Sequence, residues 1–134
     1  MADNKIISIC GSMRYYDSML AVASQLTSKG YIILFPFKSE KLNGELCTVM
    51  DHHKIDVSDE VFVVNPGGYF GRDTAYNIRY AASKDKPVSF MTETLDTKRL
   101  HQTLCKHFDK KVDFNRNPIL GEIRSEYFKE GNKI

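Results

Sequence analysis

Three groups of residues have the types and spacing that chemistry needs. Gly11, Ser12 and Arg14 follow directly on a short apolar run. Glycine allows close backbone approach, a serine hydroxyl donates to an oxygen, and arginine offers a planar fork for phosphate or carboxylate. A tight turn with a surface arginine is the plainer alternative. The second group lies in NPGGYFGRDTAYN at 65–77, where Gly67, Gly68 and Gly71 lead into Arg72, Asp73, Thr74 and Asn77. A β-branched run that empties into a glycine-rich turn and then a helical pattern aims backbone N–H groups and the helix dipole into one crevice, which suits a phosphate. Asp73 falls in the first helical turn, where the dipole keeps a carboxylate ionised for chemistry; it or Thr74 can instead cap the helix. Asn77, four residues on, shares a helical face with Asp73, and either hydrogen-bonds a base or ribose or is a polar surface residue. The third group is MDHHKIDVSD at 50–59, from which Asp51 and His52 can reach the same crevice. Tyr15 and Tyr16 offer stacking surfaces, or pack at a helix start.

Other chemistries lack support. The turn at 65–71 is neither GxGxxG nor a Walker A sequence, and no GxSxG, HExxH or CxxC motif occurs. Adjacent His52 and His53 diverge by about 100° on a helix and chelate poorly. Neither they nor His101, Cys105 and His107 have the spacing of a zinc site. The reading calls for no metal and no cofactor.

The elements that must position these groups alternate. Strands are expected at 6–10, 31–35, 61–64 and 87–91, and helices at 16–28, 46–57, 72–84 and 96–108. Met19, Val22, Ala23 and Leu26 mark the buried side of the first helix, and Leu46, Val49, Met50, His53 and Val57 line one side of the second. Residues 112–114 suggest a fifth strand, and 119–129 a terminal helix or an arm seeking a partner. Such alternation implies an α/β Rossmann- or flavodoxin-like three-layer sandwich, with a parallel sheet of four to five strands between helices. Its ligands bind beyond the carboxyl ends of the strands, where the strand order reverses. That places the loops at 11–15, 36–39 and 66–77 around the site.

Composition bounds the partners. A chain of 134 residues, 42% hydrophobic and 27% charged, fits one soluble domain over 1–134, with 112–134 as an interface segment or terminal helix. A net charge of +2 argues against a nucleic acid polymer or an anionic membrane as partner. Three cysteines without paired spacing suit free thiols in a reducing compartment. With no leader and no apolar run long enough to span a bilayer, a cytoplasmic location is expected.

Together, CGSMR at 10–14, KID-x-SDEVFVV at 54–64 and NPGGYFGRDTAYNIRYA at 65–81 resemble the nucleoside 2-deoxyribosyltransferase family, which includes the 2′-deoxynucleoside 5′-monophosphate N-glycosidases. The likeness covers roughly 5–92, with the motifs in the expected order. A fainter similarity links the glycine-rich turn to the cytokinin-activating phosphoribohydrolases. The resemblance implies a glutamate that attacks C1′ of the sugar and an aspartate that helps the base depart. It implies that Gly11, Ser12 and Arg14 contact sugar and phosphate, that Asp51 is the assisting aspartate, and that Asn77 occupies the glutamate's position. A neutral amide is no carboxylate nucleophile, so either Asp73 supplies the missing carboxylate or the crevice survives without the chemistry.

Three functions follow. The first is an N-glycosidic bond hydrolase or deoxyribosyltransferase acting on a nucleoside monophosphate or related nucleotide. Asp51, Asp73 and Asn77 would form its catalytic centre, and Gly11, Ser12, Arg14, Gly67, Gly68, Gly71, Arg72 and Thr74 would hold the substrate. The second is a nucleotide-binding module that senses or sequesters its ligand, and the third a scaffold with an inherited loop. The resemblance also implies a homodimer or larger homo-oligomer.

Overall fold

The computed structural model describes residues 5–36, 44–92, 94 and 99–100. Four strands, β1 (Ile6–Gly11), β2 (Ile32–Leu34), β3 (Glu60–Val64) and β4 (Val88–Phe90), form one sheet in the order β2-β1-β3-β4. Every pairing is parallel, with Ile7 opposite Ile33 and Glu60, and Val63 opposite Phe90. Three helices make the crossovers: α1 (Tyr16–Ser28), α2 (Gly44–Asp56) and α3 (Arg72–Ser83). The expected parallel α/β sandwich is therefore present, with four strands among the described residues.

Alternation along the strands divides the core. Ile7, Ile9, Phe62 and Val64 point to one face and pack on Met19, Val22 and Leu26 of α1. Cys10, Val61, Val63, Val88 and Phe90 point to the other and pack on Ile55 of α2 and Ile78, Ala81 and Ala82 of α3. All five residues of β3 are buried, as a central parallel strand requires. The second strand is shorter than expected and lies at the edge, with Ile32 half exposed. Tyr31 does not join it; its N–H bonds the Leu26 carbonyl and closes the end of α1. Gly30 makes that reversal with a φ of 96°.

Helix α2 departs from expectation. Leu46, Val49, Met50, His53 and Val57 share a side, but that side faces outward, and Ile55 is the helix's buried apolar residue. Polar groups hold its C-terminal half to the sheet: the Ser8 and Ser58 hydroxyls lie 2.6 Å apart, and Ser58 Oγ donates to the Lys54 carbonyl. The expected helix at 96–108 is described only at 99–100, which are helical, and Leu100 packs on the α2–α3 side of the core. The expectations at 36–39 beyond Pro36, at 112–114 and at 119–129 lie outside the described residues. No described helix is long and apolar enough to cross a membrane.

Strand order reverses between β1 and β3. The loops leaving their carboxyl ends, residues 12–15 and 65–71, flank the crevice where ligands bind in such sheets.

Candidate active site

The loop after β1 turns at once into a 3-10 turn, Met13–Tyr15, capped by Ser12, whose Oγ accepts from Arg14 N at 3.4 Å. The loop after β3 is a second 3-10 turn, Pro66–Gly68, with φ of 65° at Gly67 and 88° at Gly68, values that favour glycine. A Cβ on Gly68 would collide with Thr94 Cγ2. Buried Asn65 ties this turn to the end of β4: its Nδ2 donates to the Thr92 carbonyl at 2.8 Å, and its Oδ1 accepts from Thr92 N at 2.9 Å. Gly11, also expected at the site, ends β1, and a Cβ there would come within 2.8 Å of the Val64 carbonyl oxygen.

The two loops meet through side chains. The Tyr15 and Tyr69 rings make an edge contact at 6.2 Å, and the Arg14 guanidinium lies 4.9 Å from the Tyr69 centroid and 5.7 Å from that of Tyr15. Tyr69 carries no motif signal. Its position immediately after two turn-forming glycines is the one hint that it would be thrown across the crevice mouth.

Helix α3 begins at Gly71, an extended N-cap without a side-chain cap. Neither Asp73 nor Thr74 is the N-cap residue. The cluster on this helix splits by burial: Arg72 and Asp73 are exposed, whereas Thr74 and Asn77 are buried. Asn77 meets Asp51, its Nδ2 donating to Oδ2 at 3.4 Å. The pair joins the middle of α2 to the second turn of α3.

Asp51 is the perturbed carboxyl of this site. Burial raises its pKa above the ordinary value, and the charge of Asp73 adds to the rise. The Asn77 hydrogen bond and the charges of Lys54 and His52 act the other way, without cancelling it. Asp51 also helps burial push the Cys10 thiol up to about 12, which places the carboxylate's field at the end of β1 and leaves that thiol unreactive. Lys54 lowers both groups while its Nζ donates to the Phe35 carbonyl at 2.8 Å. This lysine was not singled out from the sequence, although its spacing of three from Asp51 puts the two on one helical face.

His52 is engaged elsewhere. Its ring stacks on Tyr80 at 4.0 Å, nearly parallel, and the Tyr80 hydroxyl donates to Asp56 Oδ1 at 2.6 Å. Among the described residues no three potential ligands gather to hold a metal; His101, Cys105 and His107 lie outside them.

The structure thus brings Asp51, Asn77 and the field of Asp73 together on one side, and Arg14, Tyr15 and Tyr69 together at the loop mouth. A carboxyl whose proton is held more tightly than usual, steadied by a buried amide, can give a proton to a leaving group and take one from water. No family model matches the chain, and no curated protein matches it. A solved structure, that of the Clostridium botulinum CMP N-glycosidase BcmB, is similar over 96% of this chain and 98% of that one, with a TM-score of 0.53 and 16% identity. At that identity the likeness establishes the fold alone: this chain shares the α/β architecture of that structure.

Proposed function

We propose that this protein cleaves the N-glycosidic bond of a nucleoside monophosphate or related nucleotide, by hydrolysis or by transfer of the sugar. The observation that carries the reading is Asp51: a half-buried carboxyl with a raised pKa, bonded to buried Asn77 beside the carboxyl end of β1. Scission leaves the C1′–N electron pair on the base, and Asp51 supplies the proton that neutralises it. Positive charge grows on the sugar, and the carboxylate of Asp73 opposes it electrostatically, joined by Asp51 as its proton leaves. In hydrolysis, water bonds to C1′ and returns a proton to Asp51, which restores the starting state. Asn77 orients Asp51 through its amide and takes no covalent part. Arg14 and the N-terminal turn of α3, with Ser12, Gly67, Gly68, Gly71, Arg72 and Thr74 shaping the loops, hold phosphate and sugar.

The buried amide at position 77 also favours a second reading, a nucleotide-binding module that senses or sequesters its ligand without turnover. We place the protein in the cytoplasm as a homodimer or larger homo-oligomer, for which the outward apolar side of α2, with Leu46 44% and Val49 45% exposed, supplies a surface. One experiment separates the two readings. The protein is incubated with nucleoside monophosphates and NAD-like nucleotides while free base and thermal stability are followed. Base release abolished by Asp51→Asn or Asp73→Asn supports the enzyme. Stabilisation without release supports the binder, since ligand at 100 times its Kd adds about 2.7 kcal/mol. Neither signal with any nucleotide overturns both.

A further inference from the structure

At the mouth of the crevice, Arg14 covers aromatic surface that a base would need. Tyr69 follows two glycines with fixed left-handed φ, and its N–H bonds the Pro66 carbonyl at 3.3 Å, so its backbone is anchored. It is 45% exposed, a large ring turned outward beside a loop that ends a central strand. Tyr15 meets it from the other loop. Arg14 has different constraints. Its side chain is long and exposed, and among the described residues it forms no ion pair; its described partners are the two ring faces. The Tyr69 backbone is anchored, whereas the guanidinium sits at the end of a long, exposed side chain.

We propose that Tyr69, together with Tyr15, is a base-stacking platform capped by Arg14, and that the phosphate of a nucleotide uncaps it. An exposed cation–π contact is weaker than a bidentate, charge-assisted pairing of guanidinium with phosphate. A bound phosphate therefore draws Arg14 off the rings and opens their faces to the base. A nucleoside without phosphate must displace the guanidinium unaided. Tyr69 and Arg14 together become a specificity device that favours nucleotide over nucleoside beyond the phosphate contact itself. This deepens the reading above and rests on it.

The test compares binding of nucleoside monophosphates and their matched nucleosides, up to millimolar concentration, to wild type, Arg14→Ala, Tyr69→Ala and the double variant. Tyr69→Phe, which keeps the ring, and thermal melts control for folding. Wild type should bind a monophosphate, and Tyr69→Ala should weaken that binding about 5- to 150-fold, as loss of base stacking does. Arg14→Ala should act in opposite directions. Monophosphate affinity falls as the charged contact is lost, while nucleoside affinity rises about 2- to 5-fold because the rings are uncapped. The double variant should lose that rise, and Tyr69→Phe should bind as wild type does. Monophosphate binding with nucleoside affinity unchanged or reduced in Arg14→Ala overturns the capped platform and leaves the nucleotide reading standing. Absence of any monophosphate binding by folded wild type overturns both.

Discussion

Replacing Asn77 with aspartate exchanges an amide for a carboxylate of the same shape, 3.4 Å from Asp51 Oδ2. Two unit charges at that 3.4 Å separation repel by about 5 kcal/mol at an effective dielectric near 20, and by about 1 kcal/mol in bulk water. Asn77 is 7% exposed and Asp51 half-buried, so the cost falls between the two limits, roughly 2–4 kcal/mol. A ceiling applies, because the pair can escape repulsion by binding one proton. Protonating a carboxyl of ordinary pKa at neutral pH costs about 4 kcal/mol. Loss of the amide donor adds about 1 kcal/mol. The Asn77→Asp variant should therefore be about 3–5 kcal/mol less stable than wild type at neutral pH, a fall in Tm of roughly 10–20 °C for a domain of this size.

The pH dependence identifies the cause. The crowded native pair holds a proton that the unfolded carboxyls release above about pH 4, so the native state binds more protons than the unfolded one. Stability then rises as pH falls. Wild-type Asp51, whose native pKa is also raised, has a dependence of the same sign, and the variant steepens it by up to about 1.4 kcal/mol per pH unit. Circular-dichroism melts from neutral pH down to about pH 4 should show most of the repulsive part of the deficit disappearing, with about 1 kcal/mol left from the lost amide bond. The reciprocal variant, Asp51→Asn with Asn77→Asp, again pairs one amide with one carboxylate and should recover most of the stability. A deficit that stays constant or widens in acid, or a reciprocal variant as unstable as Asn77→Asp, refutes the direct contact.

Asp51→Asn should separate stability from activity. Because the folded pKa of Asp51 is raised, its ionisation costs stability as pH rises through that pKa; asparagine removes the cost and still offers Asn77 an acceptor. The variant should melt above wild type at neutral pH, converge with it in acid, and release no base. Urea denaturation should rank the two turn glycines: Gly67→Ala, with open space around the new methyl, costs about 1–2 kcal/mol for its positive φ alone, and Gly68→Ala costs more because the methyl meets Thr94 as well.

What was legible in the sequence followed from local periodicity. Helix α1 forms over the expected residues because Met19, Val22 and Leu26 recur at helical spacing, and Gly30 ends it. Strand β3 reads clearly because a strand buried on both faces must be apolar throughout, Glu60 excepted, and Glu60 meets Lys5 at 3.5 Å. Helix α2 misled for a physical reason. An apolar stripe says that a helix has an apolar side, and nothing local says which surface that side meets. Its attachment is instead made by Ile55 and by short polar contacts through Ser58 and Lys54, which carry no periodic signal.

The candidate site shows the same boundary more sharply. Asp51 and Asn77 lie 26 positions apart on different helices, and no spacing rule links them. Their contact follows from α2 and α3 packing on the same face of the sheet, a consequence of strand order. Once they touch, the amide has a use that its residue type alone conceals. A carboxylate at 77 would crowd Asp51 and drive the pair to share a proton, leaving Asp51 with a different task. An amide donates to the Asp51 carboxylate and leaves one proton to manage, with Asp73 supplying charge from an exposed first turn. The amide at 77 is therefore compatible, in physical terms, with the division of labour proposed above. Under that proposal one carboxyl carries the proton, a neutral neighbour holds it in place, and the second carboxylate acts through its field.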